Sequence, residues 1–243
     1  MRHRAQTKTV LSLFWMLVCF LLVGQTVQAA APLVTDDAGL LDAKSCQVET
    51  WVQNNRDSTE YWALPACNVT GNLDLTLGAG RIKFDGGGRS TDVVLQGKTL
   101  FKTLEPNGWA WGLVAGNIHR SELHDGKLIG DLYAYVPVTF SFRDDRVLLH
   151  ANLGWKRERE PKDHFITWGL ASELRLSERV WVFGEMFGQS QNQGRPFYQA
   201  GFRFWLVPDR IQLDTSYGNR FGVNKEDRWF YIGLRLLSPA FLP

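Results

Sequence analysis

The sequence predicts an all-β protein, a transmembrane antiparallel β-barrel of about twelve strands behind a cleaved signal peptide. Three observations carry that expectation. Residues 1–30 have the charge and hydropathy profile of an export signal. Beyond them, apolar residues recur at every second position, and the connections between the alternating segments switch regularly between tight turns and longer loops. Composition sets the bounds. With 44% hydrophobic and 21% charged residues, 10 Trp and 15 Phe, the chain is too apolar and too aromatic for a disordered tail. A net charge of +2 with no basic cluster gives no footprint for nucleic acid.

The export signal comes first. Arg2, Arg4 and Lys8 precede Val10 to Val23, a run that is apolar apart from Ser12, and Ala29-Ala30-Ala31 supplies small residues at the exit. Cleavage after Ala29 or Ala30 keeps Pro32 away from the first mature position. The run is short for a spanning helix, and Cys19 lacks the small neighbours of a lipoprotein box. The organisation expected is therefore a signal peptide over 1–30 and an outer-membrane barrel domain over 31–243, opening with a short periplasmic segment, 31–44. Removing three bases and no acid leaves 24 basic against 25 acidic groups. Two cysteines remain, Cys46 and Cys67, in a chain bound for an oxidising compartment, and a single disulfide follows.

The strands are read from the dyad period. Leu73, Leu75, Leu77 and Ala79 alternate with Asp74, Thr76 and Gly78; Leu149, Ala151, Leu153 and Trp155 with His150, Asn152 and Gly154; Phe230, Ile232, Leu234 and Leu236 with Tyr231, Gly233 and Arg235. Continued along the chain, the pattern places strands near 45–54, 59–67, 71–82, 91–103, 108–119, 128–142, 146–156, 164–176, 179–189, 196–206, 210–218 and 228–237. Asn68-Val69-Thr70, Glu105-Pro106-Asn107, Asp144-Asp145, Ser177-Glu178 and Val207-Pro208-Asp209 are tight turns. Between them lie the longer loops 83–90, 120–127, 157–163, 190–195 and 219–227, with 55–58 short on the same side. Short turns at one rim and longer loops at the other describe an outer-membrane barrel. Segments of ~9–11 residues suit a tilted membrane crossing.

A secreted β-sandwich or lipocalin-like barrel would show the same period with its apolar face inside. Two features favour the membrane. Charges sit among aromatics on the other face, Glu185 beside Trp181, Phe183 and Phe187, and Arg203 between Phe197 and Trp205. Trp109, Trp155, Trp181, Trp205 and Trp229 fall near strand ends, where interfacial girdles sit.

The opening Thr35-Asp36-Asp37-Ala38-Gly39, followed by a Gln47-Val48-Glu49 strand, resembles the bacterial outer-membrane β-barrel proteins of the phenol meta-degradation pathway transporter type. The resemblance covers that short opening by motif and the rest by architecture. It implies a channel for small molecules, hydrophobic or aromatic ones included, and carries over no catalytic residue. The last strand, 229–236, looks like a closing strand, but Pro239 and Pro243 keep Phe241 from being a simple strand-terminal aromatic.

Strand parity selects the lumen and selectivity candidates Asp74, Lys98, His150, Glu173, Arg175, Glu185, Arg203, Asp214 and Arg235, with Glu49, Asp92, Asp131 and Lys156 on the same faces. Their interleaved signs point to cross-strand pairs rather than a single-sign ring. Small barrels are also commonly filled by side chains, so each residue has a structural reading beside the functional one. No catalytic residue is assigned. His150 has no Ser two positions away, and no G-x-S-x-G occurs. His119, Glu122, His124 and Asp125 share a loop but match no metal-ligand spacing, so neither metal nor cofactor is expected. The function expected is passive passage of small solutes, against a structural or adhesive barrel with a plugged lumen and, further off, a lipid-modifying enzyme. The partners expected are outer-membrane lipids and, during biogenesis, the barrel-assembly machinery. If Asn54 faces Thr59 across the first hairpin, Cys46 faces Cys67 and the two can bond.

Overall fold

The computed structural model describes residues 33–123, 127, 129–160, 162–190, 195–222 and 227–243. The signal peptide expected over 1–30 lies outside them, as do His124 and Asp125 of the loop quartet. Twelve strands follow one another: β1 (Cys46–Asn55), β2 (Ser58–Asn68), β3 (Asp74–Phe84), β4 (Arg89–Lys102), β5 (Trp109–Arg120), β6 (Asp131–Phe142), β7 (Val147–Arg157), β8 (His164–Arg175), β9 (Val180–Gln189), β10 (Phe197–Val207), β11 (Ile211–Arg220) and β12 (Trp229–Leu237). Each pairs antiparallel with its sequence neighbours, and β12 returns to β1 to close the barrel. Closure leaves no open edge, as a chain crossing a bilayer with strands requires.

The faces settle which solvent surrounds it. Leu77, Leu95 and Leu153 on the outer face are 62%, 56% and 64% exposed, while Asp131, Gln212 and Glu173 on the inner face are at most 1% exposed. Apolar out and polar in is the reverse of a sandwich or lipocalin core, because the surroundings of the outer face are hydrocarbon. Trp109, near the turn end, and Trp155, near the loop end, lie exposed on the outside, and Lys102 sits 4.0 Å over the Trp109 ring. Trp181 and Trp229 do not join that girdle. Both point inward and are buried. Trp229 lies flat over Gly218, where an added β-carbon would come within 2.0 Å of its ring, so the missing side chain decides its direction. Pro65 and Pro137 lie within strands, and the β2–β3 and β5–β6 ladders each skip two successive pairs there, the proline's own included, because proline brings no N–H.

The expectation of an N-terminal segment lying outside the barrel is corrected. From Ser45 the chain runs backwards into the lumen, with Thr35, Asp37 and Ala38 buried. The turn end of the barrel ties this entry down. Lys44 N–H donates to the Asn68 carbonyl (2.7 Å), and Asn68 Nδ2 donates to the Leu41 carbonyl (2.7 Å). The C-terminal tail folds over the same place, Phe241 and Leu242 donating to the Lys44 carbonyl at 2.9 and 3.1 Å.

Cys46 and Cys67 are direct cross-strand neighbours, as the hairpin register demands, and they are bonded, with α-carbons 4.0 Å apart. The bridge fastens β1 to β2 where the segment enters. Thiol labelling of the unfolded, unreduced mature chain is expected to find no free cysteine. Replacing both with alanine should lower stability by ~2–4 kcal/mol, read from the unfolding midpoint in detergent micelles.

Candidate functional site: an occupied lumen

A nine-residue stretch inside a barrel leaves its backbone N–H and C=O groups without a ladder, and buried groups of that kind must find partners. Here side chains of the wall supply them. Glu185 on β9 accepts from Val34 N–H and Thr35 N–H, both at 2.8 Å. Asn152 on β7 clamps Asp36, its carbonyl accepting from Asp36 N–H (2.7 Å) and its amide donating to the Asp36 carbonyl (2.9 Å), with the amide oriented to suit these partners. Thr139 Oγ1 on β6 accepts from Ala38 N–H (2.8 Å), and Asp74 Oδ2 on β3 accepts from Leu41 N–H (3.0 Å). The segment is thus held by four strands of the wall, and its base packs Ala38 against Leu100 and Ala110.

Its own acids complete the fit. Lys98 Nζ on β4 lies 2.9 Å from both Asp36 Oδ1 and Asp37 Oδ1, and Tyr135 O–H donates to Asp36 Oδ2 (3.0 Å). Burial alone would raise the Asp37 carboxyl, but the Lys98 ammonium, and beyond it Arg235, hold it below the usual carboxylate value. Close packing matches the polar contacts. Thr35 lies against Gly169 of β8, where a β-carbon would come within 2.3 Å of Thr35 Oγ1. Glycine is the residue that lets the segment touch this wall.

Around the turn-end half of the segment runs a second arrangement. Arg203 on β10 faces Asp214 on β11 as a direct cross-strand pair, with Nε 3.1 Å from Asp214 Oδ1, and its guanidinium also bonds Glu173 on β8. Glu173 Oε1 lies 3.2 Å from His150 Nε2 on β7, and His150 Nδ1 lies 2.9 Å from Thr139 Oγ1. Thr139 already accepts from Ala38, so its own proton can go to Nδ1. His150 then carries its proton on Nε2, towards Glu173. A hydroxyl, an imidazole and a carboxylate therefore stand in a row. All three residues are buried and the hydroxyl serves the segment, so no substrate reaches it in this arrangement.

The sequence-derived candidates thus separate into groups. Asp74, Lys98 and Glu185 touch the segment, and His150 reaches it through Thr139. Glu173, Arg203 and Asp214 form the buried network. Arg235 lies opposite Glu49, Nε to Oε1 at 3.6 Å, and donates to Gln47 Oε1 (2.7 Å). Arg175 stands apart at the turn rim of the inner face, where it donates to the Asp144 carbonyl (3.1 Å) and lies over its cross-strand neighbour Trp181. Lys98 and Asp74 face each other in the register, yet Lys98 pairs with the segment's aspartates instead. Sequence reasoning missed Asp36, Asp37 and Thr35, because they were counted outside the barrel. It also missed Thr139, Gln199 on β10, which donates to Glu185, and Gln212 on β11, which donates to Asp214, because it searched for charge. Their parity, shared with the charged residues of their own strands, was the available signal.

Space remains beside the segment. Above its tip, towards the loops, two lobes of about 460 and 420 Å³ meet at Val34, Phe187 and Phe197. Phe187 and Phe197 stack at 5.4 Å between ring centres, Trp229 leans on both, and Tyr133 stacks on Tyr135 at 6.2 Å. A third cavity, of about 300 Å³, continues from Val34 and Gln53 down one side of the segment to Gln47 and Ala66 near the turn end.

A closed twelve-stranded barrel with an apolar outer belt and a polar interior is the fold of outer-membrane porins and channels. The chain belongs to the family described as "Uncharacterised conserved protein UCP029691", which matches residues 17–237. The transporter type that the opening motif resembles is not the family matched. No curated protein matches the chain. Among solved structures it is similar in fold to the KdgM porin, with a TM-score of 0.59 at 8% identity, covering 78% of this chain and 98% of that one. It is also similar to the NanC porin, 0.56 at 10% identity over 79% and 98% of the two chains. For the COG4313 outer membrane channel from Pseudomonas putida F1 the values are 0.54 at 11% identity, over 86% and 99%.

Proposed function

We propose that this protein is an outer-membrane channel for passive passage of small solutes, with its loops facing outwards and its turns, disulfide and C-terminal tail in the periplasm. The observation that carries the reading is the row of adjoining cavities: an aromatic vestibule at the loop end and a cavity beside the N-terminal segment, reaching towards the turn end, share Val34 and Gln53 in their walls. A wall that is apolar outside and polar inside supports the membrane setting, and likeness in fold to porins and channels supports the class. The apolar belt would face outer-membrane lipid, and the barrel-assembly machinery would insert the chain. The vestibule rings suit flat or apolar solutes, aromatic ones included, because Phe187, Phe197 and Trp229 offer faces and edges without a dominant charge. The segment limits their size. In planar bilayers, purified protein with the mobility shift of a folded barrel is expected to give small stepwise currents. A folded, inserted and silent protein would sink the channel reading.

That outcome would favour the second reading, a barrel whose lumen is closed and which acts through its outer loops. One observation speaks for it: the wall meets the segment's N–H groups one after another, which makes the segment a built part of the structure. An enzymatic reading gains nothing from Thr139, His150 and Glu173, which lie under the segment. Exchange of His150 for alanine is expected to affect stability rather than any lipid-modifying activity. Heat-modifiability on gels, beside an assay of lipid modification, checks this.

A further inference from the structure

We propose that permeating ions pass on one side of the lumen only, between the N-terminal segment and the wall formed by β12 and β1 to β4, and that this side path prefers cations. The proposal rests on the channel reading and names its route and its selectivity. The opposite side is taken up by contact. Thr35 lies on Gly169 of β8, Ala38 on Thr139 of β6, and the N–H groups of residues 34 and 35 on Glu185 of β9. Beyond them the Glu173–Arg203–Asp214 network fills the interior, each member 3% exposed or less as a side chain. The space that remains is the 300 Å³ cavity along the other wall.

Its charge is not balanced. Four acids line it, Asp36, Asp37, Glu49 and Asp74, against two bases, Lys98 and Arg235, a formal net charge of −2. Two of the acids belong to the segment itself, so seating the segment turns a neutral path negative. Without Asp36 and Asp37 the same wall would carry two acids and two bases. The bases are also engaged: Lys98 lies between the two aspartates, and Arg235 donates to Gln47. Asp74, 91% buried, uses one carboxylate oxygen for Leu41 N–H, and its Oδ1 has no partner among the described residues. A narrow, low-dielectric passage focuses such an excess and raises the local concentration of counter-ions. At the upper end Trp51 and Tyr231 line the path, with Trp51 stacked on Trp62 at 5.7 Å and leaning on Tyr231 at 6.1 Å.

Thr76 lies on this path, on the inner face of β3, and makes no side-chain contact that the segment needs. Reversal potentials in a potassium chloride gradient test the proposal on the full mature protein, with Thr76→Asp and Thr76→Lys beside the unaltered chain. The unaltered channel is expected to reverse towards the potassium potential. Thr76→Asp should move it further the same way, and Thr76→Lys should move it back towards chloride. Distortion of the barrel would shift both variants alike, so opposite shifts identify charge in the path. A conducting protein that reverses towards chloride, or one whose reversal neither variant moves, overturns the side path and leaves the channel reading standing. A silent, folded protein would remove the channel reading and this inference with it.

Discussion

Removing residues 33–41 from the mature chain is expected to raise single-channel conductance severalfold. The segment lies within the lumen and leaves a side cavity of about 300 Å³, so its loss converts a crescent into the full bore of a twelve-stranded barrel. The cost falls on the wall. Glu185, Asn152, Thr139 and Asp74 lose their backbone donors and Lys98 loses both aspartates, but water entering the opened lumen can replace them, which an apolar core could not accept. The barrel should therefore still fold and keep its gel mobility shift. Gly169→Val serves as an independent variant that deletes nothing. Its side chain takes the space of Thr35 Oγ1, so the tip should leave Glu185 and conductance should rise, by less than in the deletion. Unchanged current in both variants, with the fold intact, would mean that the segment does not limit passage.

Arg203→Leu is expected to be the most destabilising single exchange in the lumen. The guanidinium stands between Glu173 and Asp214, and all three side chains are 3% exposed or less. Removing one partner of a buried ion pair strands the others, which costs ~3–5 kcal/mol, whereas replacing a whole network by apolar groups of like volume can be nearly neutral. Two measurements follow from that asymmetry. The midpoint of urea unfolding in micelles should fall sharply for Arg203→Leu alone, and most of the loss should return when Glu173→Leu and Asp214→Leu accompany it. A single exchange that costs less than ~1 kcal/mol would show that water reaches the network and that its burial is not what holds it.

Much of this architecture was legible before any coordinates. The period of two set the strands, each within three residues of its observed bounds, because successive side chains must point to opposite faces and one face here meets hydrocarbon. The first hairpin gave Cys46 and Cys67 as partners for the same local reason: once Asn54 faces Thr59, every other pair in the ladder is determined. The Trp girdle was read only in part. A tryptophan near a strand end lies outside or inside according to parity and to what its neighbour leaves room for. Gly218 makes that room for Trp229.

What the sequence by itself determined is therefore the local and periodic part: twelve strands, the register of the first hairpin and which face of each strand is polar. Only the tertiary structure decided what those residues face. Residues 33–41 carry no period, because their hydrogen bonds go to side chains on β3, β6, β7 and β9 rather than to a neighbouring strand, and such a stretch reads as a tail. Likewise Lys98 could be placed inside, but its choice of Asp36 and Asp37 over Asp74 depends on a segment more than sixty positions away in the chain. Closing β12 on β1 brings a segment and a wall together that no spacing in the sequence relates, and the charge of the lumen is set there.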